Sequence, residues 1–91
     1  MYLVDSNKGK KANLSNCYLR GKRLCAVDLR GANLAGADFK HTYLDNAKLS
    51  CSDLRGVNLR GVSLLNVDFF RAYFDKSFLD RTDLSACIGI I

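Results

Sequence analysis

The sequence contains no proline, no tryptophan and no glutamate, so all nine of its acidic residues are aspartate. Aspartate and asparagine accept hydrogen bonds from their own backbone in turns, so a chain made mostly of corners would favour them. The sequence also has no apolar run long enough to span a membrane, and its N-terminus lacks the apolar region of a signal peptide. We therefore expect a cytoplasmic protein without a membrane span.

Residue types on which most enzymes depend are scarce. His41 is the only histidine, and no serine or cysteine is placed for it to activate. The four cysteines follow neither a metal-binding nor a redox spacing, and there is no glycine-rich phosphate loop or dinucleotide fingerprint. The sequence predicts no catalytic residue, no metal site and no cofactor, and we expect a protein that is not an enzyme.

What the sequence does contain is a five-residue repeat. Position 1 of the repeat is a small residue, with Lys22 as the exception, and five of the seven glycines stand at position 5. Position 3, here called the centre, is always leucine or phenylalanine. The centres are Leu14, Leu19, Leu24, Leu29, Leu34, Phe39, Leu44, Leu49, Leu54, Leu59, Leu64, Phe69, Phe74, Leu79 and Leu84.

A five-residue period fits neither regular helix nor straight strand. In a helix, five residues rotate a side chain by about 140°, so successive centres would spiral around the axis. In a strand, side chains five apart point to opposite faces. All centres can point inward only if the chain bends in every repeat and stacks coil upon coil, with backbone hydrogen bonds between coils ~4.8 Å apart. The period alone leaves the number of sides open.

The repeat resembles that of pentapeptide-repeat proteins, whose pattern is Ala-(Asp/Asn)-Leu-X-X. Three segments match it as they stand, at 12–14, 32–34 and 37–39, and four more match with a different small residue, at 27–29, 52–54, 57–59 and 67–69. The resemblance implies an all-β fold, a right-handed quadrilateral β-helix with four repeats per coil. Fifteen repeats would make about four coils.

The chain then divides into three parts. Residues 1–11 precede the clean repeat and are expected to form an N-terminal lid or a flexible basic segment. Residues 12–86 are expected to form the β-helix, and residues 87–91 an apolar C-terminal tail. Lys22 falls at an inward position, where a lone ammonium group would be costly, so we expect local distortion there. Cys25 and Cys51 are expected to face outward, which suits a reducing compartment.

One column of the predicted coil carries a row of positive charge. If residues twenty apart stack, Arg20, Lys40 and Arg60 form a basic ladder on the second side. Such a row is either a solvated face or a docking site for an acidic partner or a phosphate backbone. Few aromatic side chains lie near it, so nucleic acid is an improbable partner.

A second candidate surface lies towards the C-terminus. Leu65, Phe70, Tyr73 and Phe78 occupy outward positions and lie close together in sequence. A terminal coil exposes unpaired edges and an apolar cross-section that must be covered. A second copy of the chain, a further domain or the apolar tail could cover it, and a homodimer through the C-terminal coil is one expectation.

The sequence therefore predicts a non-catalytic protein-binding or scaffold module with an unknown protein partner. The alternatives follow from the resemblance and from charge. Some pentapeptide-repeat proteins mimic DNA and bind DNA gyrase to confer quinolone resistance, but that mimicry requires an acidic rod and this chain carries a net charge of +5. The positive charge leaves direct binding of nucleic acid or an acidic partner as the other alternative.

Overall fold

The computed structural model describes residues 12–75 together with Ser85 and Cys87. Within these residues the backbone forms no helix and no strand longer than one residue. Position 2 of each repeat instead makes an isolated parallel β-bridge to the residue twenty places further on, as Asn13 does to Asn33 and Tyr18 to Asp38. Four five-residue repeats therefore complete one coil, as the resemblance implies.

The bridges define four sides. Side 1 contains Asn13, Asn33, Asp53 and Tyr73, side 2 contains Tyr18, Asp38 and Asn58, side 3 contains Arg23, Tyr43 and Ser63, and side 4 contains Asp28, Lys48 and Asp68. The first coil comprises residues 12–31, the second 32–51 and the third 52–71. Most of the predicted fourth coil lies outside the described residues, as do the centres Leu79 and Leu84.

Backbone hydrogen bonds run along the coil axis at every side and corner between the first coil and the second. On side 1 the Leu14 amide donates to the Asn33 carbonyl at 2.8 Å, and the Asn33 amide donates to the Ala12 carbonyl at 2.9 Å. At the next corner the Asn16 amide donates to the Ala35 carbonyl at 2.9 Å. Each coil is thus the hydrogen-bonding partner of the next, which satisfies main-chain groups without long strands.

Each corner is a β-turn with a left-handed residue. The amide at position 1 donates to the preceding centre's carbonyl, as Cys17 does to Leu14 at 3.2 Å. Position 5 has a positive φ in every repeat from residue 16 to residue 71, the pattern of a type II turn. Glycine adopts this conformation without steric cost, which explains why the sequence concentrates glycine there. Non-glycine residues such as Ala26 and Arg71 adopt it too.

The centres fill the interior as predicted. Leu34, Phe39 and Leu54 have no solvent exposure, and Leu34 and Leu54 lie on adjoining coils because Asn33 bridges Asp53. Burial decreases towards the ends of the described region, where Leu14, Leu19, Leu59 and Phe74 are only partly buried. The core is therefore a continuous stack that each coil shares with its neighbours.

The expected distortion at Lys22 is wrong. The Lys22 side chain is exposed, and its carbonyl still accepts the Tyr43 amide at 2.9 Å, so the ladder continues undisturbed. From the first coil the side chain reaches solvent without any change in the backbone. One coil further on, Thr42 occupies the same position and is buried, and its hydroxyl donates to the Leu19 carbonyl at 2.6 Å.

The terminal segments fall largely outside the described residues. The predictions of an N-terminal lid at 1–11 and an apolar tail at 87–91 therefore stay predictions. Cys87, twenty residues after Val67, is described: it packs against the core, and its thiol lies 3.5 Å from the Leu64 carbonyl oxygen. In the part of the chain described, no helix is long and apolar enough to cross a membrane.

Candidate binding surfaces

The carboxylates and amides at position 2 serve the turns. The Lys40 amide donates to Asp38 at 3.0 Å, and the Ala35 amide donates to Asn33 at 3.1 Å. The same bond, from the amide at position 4 to the side chain at position 2, forms in every described repeat that has Asn or Asp at position 2. The Asp and Asn side chains at position 2 therefore stabilise the turns, as the turn preference of these residues predicts.

Two of these aspartates also hold an arginine from their own repeat. Arg30 pairs with Asp28 and Arg55 pairs with Asp53, each at 2.6 Å. The Arg55 side chain, aided by its backbone amide, lowers the pKa of Asp53 from 3.8 to about 2. The Arg30 side chain likewise lowers the pKa of Asp28, with a smaller contribution from Lys48. Such carboxylates stay ionised at neutral pH and cannot act as general acids.

The predicted basic ladder forms, but only in part as a row of unpaired charges. Its backbones stack, since the Gly21 amide donates to the Lys40 carbonyl at 3.2 Å and the His41 amide to the Arg60 carbonyl at 3.0 Å. Arg20, however, binds Asp38 on the same side at 2.6 Å. The Lys40 amide and then the Arg20 side chain lower the pKa of that carboxyl group.

The ladder belongs to a wider positive surface. Lys22 and Arg23 lie exposed at the start of side 3, next to the corner that carries the ladder. Exposed tyrosines accompany the charges: Arg20 lies 5.4 Å from the ring centre of Tyr18, and Arg23 lies 5.8 Å from that of Tyr43. We call this surface the basic face; it comprises Tyr18, Arg20, Lys22, Arg23, Lys40, Tyr43 and Arg60.

Sequence analysis missed Lys22, Arg23 and Tyr43 as members of this surface. The sequence analysis considered only residues twenty apart, which stack along the axis on side 2. The three missed residues lie in the neighbouring repeats, on side 3. The available signal was the twenty-residue register itself, because it places side 3 directly after the corner of side 2.

Charge is unevenly distributed between the four sides. In residues 12–75, the repeats of sides 2 and 3 contain five cationic residues against Asp38 and Asp45, an excess of three positive charges. The repeats of sides 4 and 1 contain four cationic and four acidic residues, and so are neutral. The net charge of the described region is thus concentrated on two adjacent sides.

Three of the four residues of the predicted apolar interface are exposed as expected. Leu65 is 51% exposed, Phe70 47% and Tyr73 64%. Leu65 lies at the corner after side 3, Phe70 at the corner after side 4, and Tyr73 on side 1, so they follow one another around the coil. We call these three residues the apolar belt. Phe78 lies outside the described residues.

A shallow groove of about 420 Å³ runs along side 1. Its floor contains small residues such as Ala32, and Asn33, Asp53 and Tyr73 contribute to its lining. Asn33 and Asp53 already accept hydrogen bonds from turn amides, and Asp53 is also held by Arg55. The groove therefore offers a contact surface and no pair of carboxylates available for acid–base catalysis.

The remaining candidate residues carry no site. Among the described residues, no group of His, Cys and Asp could hold a metal ion. Cys25 and Cys51 are exposed thiols, as predicted. His41 is exposed, and its imidazole lies over Gly61, where a Cβ atom would meet it.

Comparison with known families agrees with this architecture. A family profile described as pentapeptide repeats, in eight copies, matches residues 10–46, 26–61 and 47–85. The matches cover most of the sequence, and the chain belongs to the pentapeptide-repeat family. Proteins of this family are generally non-catalytic repeat proteins, and the family implies a right-handed β-helix. No match was found among curated proteins.

Two solved structures are similar to the chain. The pentapeptide repeat protein Rfr23 from the cyanobacterium Cyanothece 51142 is 28% identical, with a TM-score of 0.57 over 88% of this chain. The chain spans only 45% of the length of Rfr23. The pentapeptide repeat protein alr5209 from Nostoc Pcc 7120 is 25% identical and is matched over 87% of this chain and 81% of its own length, with a TM-score of 0.28.

Proposed function

We propose that the chain is a non-catalytic protein-binding module that contacts its partner through the apolar belt. The observation that carries the proposal is a change of character within three columns. Each exposed apolar residue follows a polar residue twenty places earlier in its column. Leu65 follows Asp45, Phe70 follows Ser50 and Tyr73 follows Asp53. Large apolar side chains exposed together on a soluble surface usually mark an interaction site.

The frame beneath the belt is suited to binding. The Phe70 carbonyl accepts the Cys51 amide at 2.9 Å, and the Leu65 carbonyl accepts the Asn46 amide at 2.9 Å. Both corners are therefore fixed to the coil before them, so little backbone entropy is lost when a partner docks. Arg71 lies 5.2 Å from the ring centre of Phe70 and supplies a polar rim.

The test removes the belt without adding charge. In the triple variant Leu65→Ser, Phe70→Ser and Tyr73→Ser, the new residue is one that the repeat already accepts, as Ser50 and Ser63 show. Cys25→Ser, at the same repeat position as Leu65 and in the same column, serves as the control. A photo-crosslinking residue at position 70 would be compared with one at position 50 in extracts of the source cells.

We expect a protein to be cross-linked from position 70 when Leu65 and Tyr73 are kept but not when both are replaced by serine, while Cys25→Ser leaves the product unchanged. Sedimentation of purified protein identifies the case in which that partner is a second copy. A wild-type chain that stays monomeric, and that cross-links equally from positions 50 and 70, would overturn the proposal. Circular dichroism melting verifies that every variant is folded.

Mimicry of DNA is not favoured as a second function. It would require a strongly acidic rod, whereas the whole chain carries a net charge of +5 and its described sides are either neutral or positive. Protection of DNA gyrase from a quinolone in a supercoiling assay would revive that alternative.

A further inference from the structure

The basic face contains charges for which the fold has no structural use. Lys22, Arg23, Lys40 and Arg60 form no ion pair within the part of the chain described. Of the four cationic residues on the other two sides, Arg30 and Arg55 are each held by an aspartate at 2.6 Å, and Lys48 and Arg71 form no ion pair there. Like charges stacked at the spacing of neighbouring coils, ~4.8 Å, repel one another slightly. Unpaired positive charge gathered on two adjacent sides therefore points to a ligand of opposite charge.

We infer that the basic face binds an acidic segment of the protein partner. The inference rests on the proposed function, in that it names the chemistry of the partner that the module recognises. Leu65 stands at the corner that ends side 3, so the apolar belt begins where the basic face ends. A partner whose apolar contact is bordered by aspartate or glutamate residues would match both surfaces at once.

The height of the face favours a protein over a nucleic acid, and its exposed tyrosines and arginines suit a protein interface. Tyr18 is 69% exposed and Tyr43 51%, and each is accompanied by an arginine. Tyrosine and arginine are the residues that most often dominate the binding energy of protein interfaces. The described face spans three coils, a height of roughly 10 Å, which offers few phosphate contacts compared with those of tight DNA-binding proteins.

In the part of the chain described, sides 4 and 1 of a second copy do not supply the complementary charge. The repeats of sides 4 and 1 are neutral in residues 12–75, and their aspartates Asp28 and Asp53 are already engaged by Arg30 and Arg55. Docking of the basic face on those sides would have to break these pairs. The acidic segment is thus expected to come from a different protein.

The experiment compares two double variants that remove the same charge from different sides. Arg23→Gln with Arg60→Gln alters the basic face, and Arg30→Gln with Arg55→Gln alters sides 4 and 1; all four arginines are exposed. Binding is measured by fluorescence anisotropy with a labelled peptide of alternating glutamate and serine. The same peptide with glutamine in place of glutamate, and a single-stranded oligonucleotide of equal charge, serve as comparison probes.

We expect the glutamate peptide to bind the full chain at low salt, and its affinity to fall roughly tenfold in the Arg23 and Arg60 variant but less than twofold in the other. Equal losses in both variants would mean that only net charge matters and would overturn the inference. Tighter binding of the oligonucleotide than of the peptide would assign the face to nucleic acid instead, and absence of binding to the glutamate peptide would also overturn it.

These outcomes are separable from a failure of the proposed function. The triple serine variant of the apolar belt leaves every charge of the basic face in place, so it should bind the glutamate peptide as tightly as the wild type. Loss of peptide binding with cross-linking from position 70 intact would remove the acidic segment and keep the binding module.

Discussion

At the scale of single residues, the corners decide which side chains the repeat accepts. Position 5 requires a positive φ, and position 2 favours a side chain that can accept the amide of position 4. Glycine and Asn or Asp meet these demands, but Ala26 and Tyr43 show that neither is obligatory. Each departure has a local cost that the rest of the coil tolerates.

The backbone cost can be measured at Ala26. Its φ is 60°, a conformation that costs an L-residue roughly 1–2 kcal/mol. Ala26→Gly should remove that cost while adding backbone entropy to the unfolded chain, for a net stabilisation of about 0.5 kcal/mol in urea denaturation. Ala35→Gly, at the preceding repeat position without a positive φ, should destabilise by a similar amount. If both changes destabilise, the left-handed corner is not strained.

A prediction about pH follows from Asp53. Its pKa of about 2 in the folded chain lies below the ordinary 3.8, so its contribution to stability is present above the ordinary value and is lost as pH falls through about 2. Asp53→Asn keeps the turn acceptor, as Asn33 does in the same column, but removes the pair with Arg55.

We expect Asp53→Asn to lose a few tenths of a kcal/mol at pH 7, as is usual for exposed ion pairs. Between pH 5 and about pH 2 its stability should fall less than that of the wild type, because one carboxylate fewer must be protonated. Urea midpoints of both proteins across this range provide the measurement. Parallel pH curves would show that the Arg55 pair contributes nothing to folding.

At the scale of the coil, burial differs between centres that occupy the same repeat position. Leu14 and Leu34 stand in the same column and at the same repeat position, yet Leu34 has no exposure and Leu14 is only partly buried. The repeat is therefore uniform in sequence but graded in packing. Leu24 and Leu29 of the first coil are buried, so the gradient concerns the first two centres, Leu14 and Leu19.

Leucine-to-alanine substitutions should reveal this gradient. Leu34→Ala should cost about 2–5 kcal/mol, the range for fully buried leucines, and Leu14→Ala clearly less because its surroundings can relax. Chemical denaturation gives both values. If Leu34→Ala does not fold, Leu34→Val and Leu14→Val allow the same comparison. Equal costs at the two positions would contradict the graded core.

At the scale of the whole molecule, stability is carried by contacts between successive coils. The hydrogen bonds join residues about twenty apart, and every centre from Leu14 to Phe74 packs within a stack that runs along the axis. In such an array each unit interacts only with its neighbours, so opening is expected to start at an end. The surfaces, by contrast, differ from side to side and carry the specificity.

Hydrogen exchange tests this end-first opening. The Leu14 and Leu34 amides both donate to a neighbouring coil, at 2.8 and 2.9 Å, so local geometry does not distinguish them. We nevertheless expect the amides of Leu34 and Phe39 to exchange more slowly than those of Leu14 and Leu19, because the first coil can open while the second stays closed. Equal protection in both coils would indicate that the described region opens as one unit.

Several features were accessible from the sequence because they depend on the period alone. A five-residue spacing of Leu and Phe places the centres inside, and the corner chemistry places glycine at position 5 and Asp or Asn at position 2. These are local constraints repeated many times, so one repeat informs the next. The stacking of Arg20, Lys40 and Arg60 also needed four repeats per coil, which the family resemblance implied and the β-bridges show.

Only the tertiary structure decided which charges are available for binding. Arg20 pairs with Asp38, eighteen residues away and on the next coil, and Lys22 is exposed although it occupies an inward repeat position. The repeat pattern predicts neither feature, because side-chain pairing and exposure depend on rotamers and on the side chains of the neighbouring coils. The five-residue period was a property of the sequence, whereas the number of repeats per coil, and with it the positive excess on sides 2 and 3, was decided by how the coils stack.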